Sequence, residues 1–215
     1  VFDNVKPWMY LLAAGGLILL GSRVIKALTL HPSELLPPGA RRVACLGDSL
    51  TANGLYCKNL RNYLPPGSIT KSFGYANQGT AYILKQLPKV LAWNPTDIVV
   101  LAGVNDLPRH GGDTTAISNL AKIYAKAHAH GVRVVAVKIL PWHDYPSAMG
   151  REDNTYNVNT WIMKSSSADA YVDAWAMGDA NYSLLSEFTT DGLHLNLLGY
   201  SFLAQLIADQ AFVWR

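Results

Sequence analysis

Cysteine, charge and repetition are all scarce in this chain, and each scarcity removes a class of function. Two cysteines in 215 residues imply no disulfide scaffold. Cys45 sits in an apolar run and Cys57 in a helix-forming stretch, so both read as buried thiols and the redox compartment stays open. No Cys/His cluster has zinc-ligand spacing, so neither a metal nor any other cofactor is called for. Only 15% of the residues are charged, and 18 basic against 15 acidic residues leave a net +3 spread along the chain. There is no basic run, no aromatic-interleaved basic patch and no phosphate-cradling glycine loop, which excludes nucleic acid as a partner. Internal repeats and low-complexity tracts are absent too. What remains is a chain that is 50% hydrophobic, long enough for one well-cored domain plus an appendage.

Apolar and β-branched runs at about 42–47, 69–76, 97–102, 132–139 and 170–175 read as strands covered on both faces. Helical stretches alternate with them at about 52–64, 80–93, 114–129, 154–166 and 197–213. Pro65-Pro66-Gly67 ends the first helix and Gly131 the third, while Asp113 or Thr114 is a fair N-cap for the third. The alternation predicts a three-layer α/β/α domain over residues 41–215, built on a five-stranded parallel sheet. Such sheets bind ligands at the carboxyl ends of their strands.

Four short blocks fall at those ends. Cys45-Leu46-Gly47-Asp48-Ser49-Leu50 places a serine where a strand breaks into a helix, with backbone N–H groups left to face developing negative charge. Asn77-Gln78-Gly79 follows the second strand, Gly103-Val104-Asn105-Asp106 the third, and Asp191-Gly192-Leu193-His194 precedes the last helix. A serine hydroxyl needs a base to take its proton as it attacks, and histidine suits that role near neutrality. Asp191, three residues before His194, can fix the tautomer of the ring and support its cation. The oxyanion then needs preorganised donors, and the N–H of Ser49, the N–H of Gly79 and the side-chain amide of Asn105 are the candidates.

Ser, Gly, Asn and His in this order resemble the four blocks of the SGNH hydrolases, also called the GDSL esterase/lipase family. The resemblance spans roughly Arg41 to Arg215. It implies a flavodoxin-like fold and a carboxylic ester hydrolase with Ser49, His194 and Asp191 as its triad. It assigns the oxyanion hole to Ser49, Gly79 and Asn105.

Each block has a plainer alternative. Ser49 or Asp48 could be a helix N-cap, Asn105-Asp106 a turn, Gly79 a loop glycine and Asp191-Gly192 an ordinary turn pair. His128 and His130 fall at a helix C-terminus and read as dipole-complementing surface residues. His110 and His143 sit in rim loops and could touch substrate, and His31 reads as surface.

Residues 1–30 form a separate segment. Trp8 to Gly21 carries no charge and is expected to be an apolar helix reaching about 21 Å, short of a bilayer core of about 30 Å. If Arg23 and Lys26 snorkel, the reach extends to Leu30 and spans. The favoured expectation is a membrane anchor, with a protein-buried helix or a signal remnant as alternatives. Residues 31–40 are then a stiff proline-rich linker. The chain opens on Val1 rather than methionine, which leaves room for residues upstream. A membrane-associated, cell-envelope location is expected, although the basic residues after the apolar stretch favour the opposite sidedness.

The expected partner is an ester. Pro141-Trp142-His143-Asp144-Tyr145 puts aromatics near the rim, which suits a sugar ring or a short acyl chain, and no long inserted lid suggests a large lipid pocket. An acylated sugar or cell-envelope polymer, or a short-chain or lipid ester, fits. An acyltransferase using the same site, or a structural subunit of a membrane or particle assembly, are the alternatives.

Overall fold

The computed structural model describes residues 18–20, 23–25, 36–109 and 111–212. The chain divides into two compact units, Val1–Leu35 and Leu36–Arg215. In the first, β1 (Ile18–Leu20) and β2 (Arg23–Ile25) pair antiparallel. This corrects the expected apolar helix where the two strands run: Ile18, Val24 and Ile25 are β-branched residues, which favour strand over helix. The rest of the Trp8–Leu30 stretch lies outside the described residues, as do residues 31–35 of the proline-rich linker. Among the described residues no helix is long and apolar enough to cross a membrane.

The second unit alternates strand and helix. In chain order it comprises β3 (Arg42–Gly47), α1 (Ser49–Ala52), α2 (Leu55–Leu60), β4 (Ile69–Gly74), α3 (Thr80–Leu91) and β5 (Asp97–Leu101). It continues through α4 (Gly112–His128), β6 (Arg133–Val137), α5 (Glu152–Lys164), β7 (Ala170–Val172) and α6 (Leu197–Ala211). The five strands form one sheet in the order β4-β3-β5-β6-β7, parallel throughout.

Strand periodicity splits the core in two. Val43, Cys45, Val99, Leu101, Val135 and Val137 face one side and pack with Leu203 and Ile207 of α6 and Leu60 of α2. The intervening Ala44, Leu46, Ile98, Val100, Val134 and Ala136 face the other, against Ile83 and Leu87 of α3, Leu120 and Ile123 of α4 and Val158 of α5. Successive side chains of a strand point to opposite faces, so continuous apolar strands demand helices on both. The result is the three-layer α/β/α arrangement.

Three local features differ from expectation. The helix expected from 52 to 64 is broken: left-handed Gly54 (φ 72°) separates α1 from α2, and residues 61–63 tighten into a 3₁₀ turn. Helix α4 begins at Gly112 after a left-handed Gly111 N-cap, so Asp113 lies in its first turn and is not the cap. Cys45 and Cys57 are joined in a disulfide and are not free thiols. Strand β3 and the returning helix α2 bring their Cα atoms to 6.0 Å, within disulfide reach. The sequence gap of 12 residues hid this, because only the reversal after Ser49 folds one cysteine over the other. The bridge ties the strand that delivers Ser49 to the helix that follows it.

Candidate active site

Strand β3 ends at Gly47, and the chain turns at once into α1. A Cβ at Gly47 would collide with the Leu101 carbonyl and the Thr51 hydroxyl, so the close approach of the turn to β5 requires glycine. Asp48 is the N-cap: its carboxylate accepts from the Leu50 N–H at 3.1 Å. With that role filled, the Ser49 side chain is free for another partner, which settles the N-cap alternative for Ser49.

The partner comes from the far end of the chain. His194 Nε2 lies 3.0 Å from Ser49 Oγ across a sequence separation of 145. On the other side of the ring, His194 Nδ1 lies 2.7 Å from Asp191 Oδ2. With the Nδ1 proton donated to that carboxylate, Nε2 accepts from the serine hydroxyl. The other carboxylate oxygen of Asp191 accepts from the backbone N–H groups of Leu193 at 2.9 Å and His194 at 2.7 Å. Thr189 closes the same loop by donating its hydroxyl to the His194 carbonyl at 2.7 Å and accepting from the Gly192 N–H at 3.1 Å. Partial burial works against the Asp191 charge, but the bonds from the His194 ring and the two N–H groups outweigh it and hold the carboxyl below its usual range. Tyr145 stands edge-on to the imidazole, with ring centroids 6.3 Å apart and planes at 89°.

The two remaining blocks meet each other. Asn105 donates its side-chain amide to the Gln78 carbonyl at 3.1 Å, next to Gly79 at the N-cap of α3. Among the described residues no protein acceptor takes the N–H of Ser49 or Gly79, so both remain available to a ligand.

Asp106, which reads in the sequence as a turn residue, holds these blocks in register. Buried at 2% exposure, it accepts from the Thr80 N–H and the Thr80 hydroxyl, both at 2.9 Å. Asn119 of α4 donates to that same hydroxyl at 3.0 Å. Burial pushes the Asp106 carboxyl above its usual range, with the Thr80 bonds resisting. An aspartate after asparagine and a threonine after glycine are the only sequence signal, and neither residue alone reveals the pairing. We expect Asp106→Ala to lower kcat by about 10- to 100-fold, short of losing an oxyanion donor outright, with a smaller change in KM. Steady-state kinetics on p-nitrophenyl acetate check this; an unchanged kcat would show that Gly79 is held by other means.

Asp48, the neighbour of Ser49 in the chain, is a second buried carboxyl. It is 1% exposed, and its Oδ2 has no hydrogen-bond partner. Burial pushes its pKa up to about 7; the Leu50 N–H opposes this and the nearby Asp106 reinforces it. The folded state therefore keeps a proton that the unfolded chain, with a carboxyl pKa of about 3.9, releases. Its contribution to stability is full below about pH 4 and is lost as pH rises through about 7. Asp48→Asn, which cannot ionise, should gain Tm relative to the parent as pH rises from about 5 to about 8. Parallel melting curves over that range would show that Asp48 does not titrate there.

The other described histidines have partners of their own. His128, in the last turn of α4, pairs with Asp169 at 2.8 Å, and His130 Nδ1 lies 2.9 Å from the Lys126 carbonyl. His143 pairs with Glu152 at 3.3 Å. His31 and His110 lie outside the described residues. Among the described residues no group of three His, Cys, Asp or Glu side chains is placed to hold a metal ion.

Residues 45–202 match the GDSL-like Lipase/Acylhydrolase family, and the chain belongs to that family. It is a carboxylic ester hydrolase of the GDSL/SGNH type. No curated protein matches the chain by sequence. Among solved structures, a GDSL-like lipase from Bacteroides thetaiotaomicron superposes with a TM-score of 0.62 at 20% identity, covering 78% of this chain and 86% of that one. The acetyl xylan esterase AlAXEase gives 0.63 at 16%, covering 78% and 98%. An acetylxylan esterase from Geobacillus stearothermophilus gives 0.62 at 14%, covering 80% and 94%. At these identities the likeness is one of fold.

Proposed function

We propose that the protein is a serine esterase that works through an acyl-enzyme and removes O-acetyl groups from carbohydrate or cell-envelope polymers. The observation that carries the mechanism is the unbroken chain from Ser49 Oγ to His194 Nε2 and from Nδ1 to Asp191. His194 takes the hydroxyl proton as Oγ bonds to the acyl carbon, and Asp191 holds the ring and supports the imidazolium. The carbonyl oxygen becomes an oxyanion facing the N–H groups of Ser49 and Gly79 and the amide of Asn105. Collapse breaks the ester C–O bond, and His194 returns its proton to the departing alcohol. Water, deprotonated by the same ring, then attacks the acyl-enzyme and releases the acid and Ser49.

Support for a carbohydrate ester comes from the aromatic and polar rim, with Tyr145 against the catalytic imidazole, and from the two acetylxylan esterases that share the fold. A cell-envelope location is supported by the Cys45–Cys57 disulfide, since such bonds persist in oxidising compartments. The test is acetate release from an acetylated polysaccharide, alongside labelling of Ser49 by a fluorophosphonate. Turnover of p-nitrophenyl acetate without polysaccharide deacetylation would refute the substrate, and absence of labelling would refute the nucleophile. Formation of a new ester when alcohols are added would instead identify a transferase.

A further inference from the structure

A cavity of about 430 Å³ opens beyond the carboxyl ends of β6 and β7, and Ser49 and His194 are not among its lining residues. Its volume falls within the range of small-molecule sites, about 300–1,000 Å³. It therefore lies outside the Ser49–His194 pair and is read as a place for binding. One loop separates it from the triad: Pro141, Trp142 and His143 line the cavity, while Tyr145, two residues on, stands against His194.

The lining has a definite chemistry. Three aromatic side chains of the lining are well exposed: Trp175 at 46%, Tyr182 at 57% and Tyr156 at 63%. Single exposed aromatics are ordinary, but three around one hollow mark a binding surface. They are also held in place. Trp175 and Tyr182 meet edge to face with centroids 4.8 Å apart, and the Trp175 backbone N–H donates to the Asp173 carboxylate at 3.0 Å. Tyr156 projects from α5. Beside these rings lie Lys138, paired with Asp173 at 2.9 Å, and His143, whose Nδ1 is 3.3 Å from Glu152, with Arg151 and Asp153 also in the lining. Acidic and basic groups are interspersed around the hollow, so it presents both acceptors and donors and not a field of one sign.

A lipid chain would leave these polar groups without a function, and a ligand of one charge would meet side chains of its own sign as well as the opposite one. A sugar ring matches both features, because its C–H face stacks on an aromatic ring while its hydroxyl edge bonds to carboxylates and ammonium groups. We propose that this cavity is a carbohydrate subsite, holding a neutral, unesterified stretch of the glycan whose acetylated unit reacts at Ser49. It deepens the carbohydrate-ester reading above and rests on it.

The test uses the full chain and three neutral, unacetylated oligosaccharides: xylohexaose, cellohexaose and mannohexaose. At least one should bind saturably, followed by tryptophan fluorescence and by chemical-shift changes in the Trp175 indole. Trp175→Ala should weaken that binding by about tenfold, as expected for loss of an anchoring aromatic. Tyr156→Ala, a change at an exposed helix position, should weaken it as well, so the result does not depend on how one variant folds. On acetylated polysaccharide the Trp175 variant should show a raised KM, with kcat altered far less. No saturable binding to any of the three, binding that survives both substitutions, or displacement of the sugar by decanoate would overturn the subsite. Acetate release by the unmodified chain tests the substrate reading separately, and can succeed while the subsite fails.

Discussion

Ser49→Ala should abolish turnover of p-nitrophenyl acetate, with a loss of about 10⁶-fold in kcat, while the melting temperature stays close to that of the parent. The size of the loss follows from the chemistry. Without the hydroxyl there is no covalent intermediate, and the oxyanion donors and His194 can only assist attack by water. Preservation of the fold follows from the contacts, since the serine side chain is only partly buried and its hydroxyl meets His194, while the N-cap of α1 is Asp48. Turnover above a few per cent of the parent would remove Ser49 from the mechanism and require another nucleophile.

Asp191→Asn should lower kcat by about 10⁴-fold, the scale of loss when the carboxylate of a serine triad becomes an amide. The reason is the ring tautomer. An amide can present its N–H₂ group to Nδ1, which moves the imidazole proton to Nε2 and leaves Ser49 without a base. The bonds from the Leu193 and His194 N–H groups can still be accepted by the amide oxygen, so the loop should keep its shape. The loss is then one of proton position and not of geometry, and melting curves should overlay within a few degrees. Pre-steady-state acylation with p-nitrophenyl acetate measures it directly. An unchanged rate would mean that a group other than Asp191 orients the ring.

Ser49 and Asp191 are both legible in the amino-acid sequence, because each block carries its own local geometry. A serine after strand, glycine and aspartate has few conformations open to it, and a carboxylate three residues before a histidine can reach the ring within one turn. The strands are legible for a similar reason: runs such as Asp97–Leu101, buried at every position, must be covered on both faces. Features that the sequence conceals are of two kinds. Gly54 and Gly111 shift helix boundaries by adopting left-handed backbone, a choice that glycine permits but does not announce. The N-terminal apolar stretch has a composition compatible with either helix or strand, and Ile18–Leu20 and Arg23–Ile25 pair as strands.

The sequence by itself determined the order of elements, the parallel three-layer class and the four blocks, because periodicity and turn chemistry act over a few residues. Only the tertiary structure decided what lies next to what. It closed the 3.0 Å contact between Ser49 and His194, set Asp106 on Thr80 and joined Cys45 to Cys57. It also gathered Tyr156, Trp175 and Tyr182 around one cavity. These pairings come from the return of α2 over β3, the register of β3 on β5, and the packing of α5 beside the ends of β6 and β7. Each is fixed by burying two faces of one sheet at once, which no local stretch of sequence encodes.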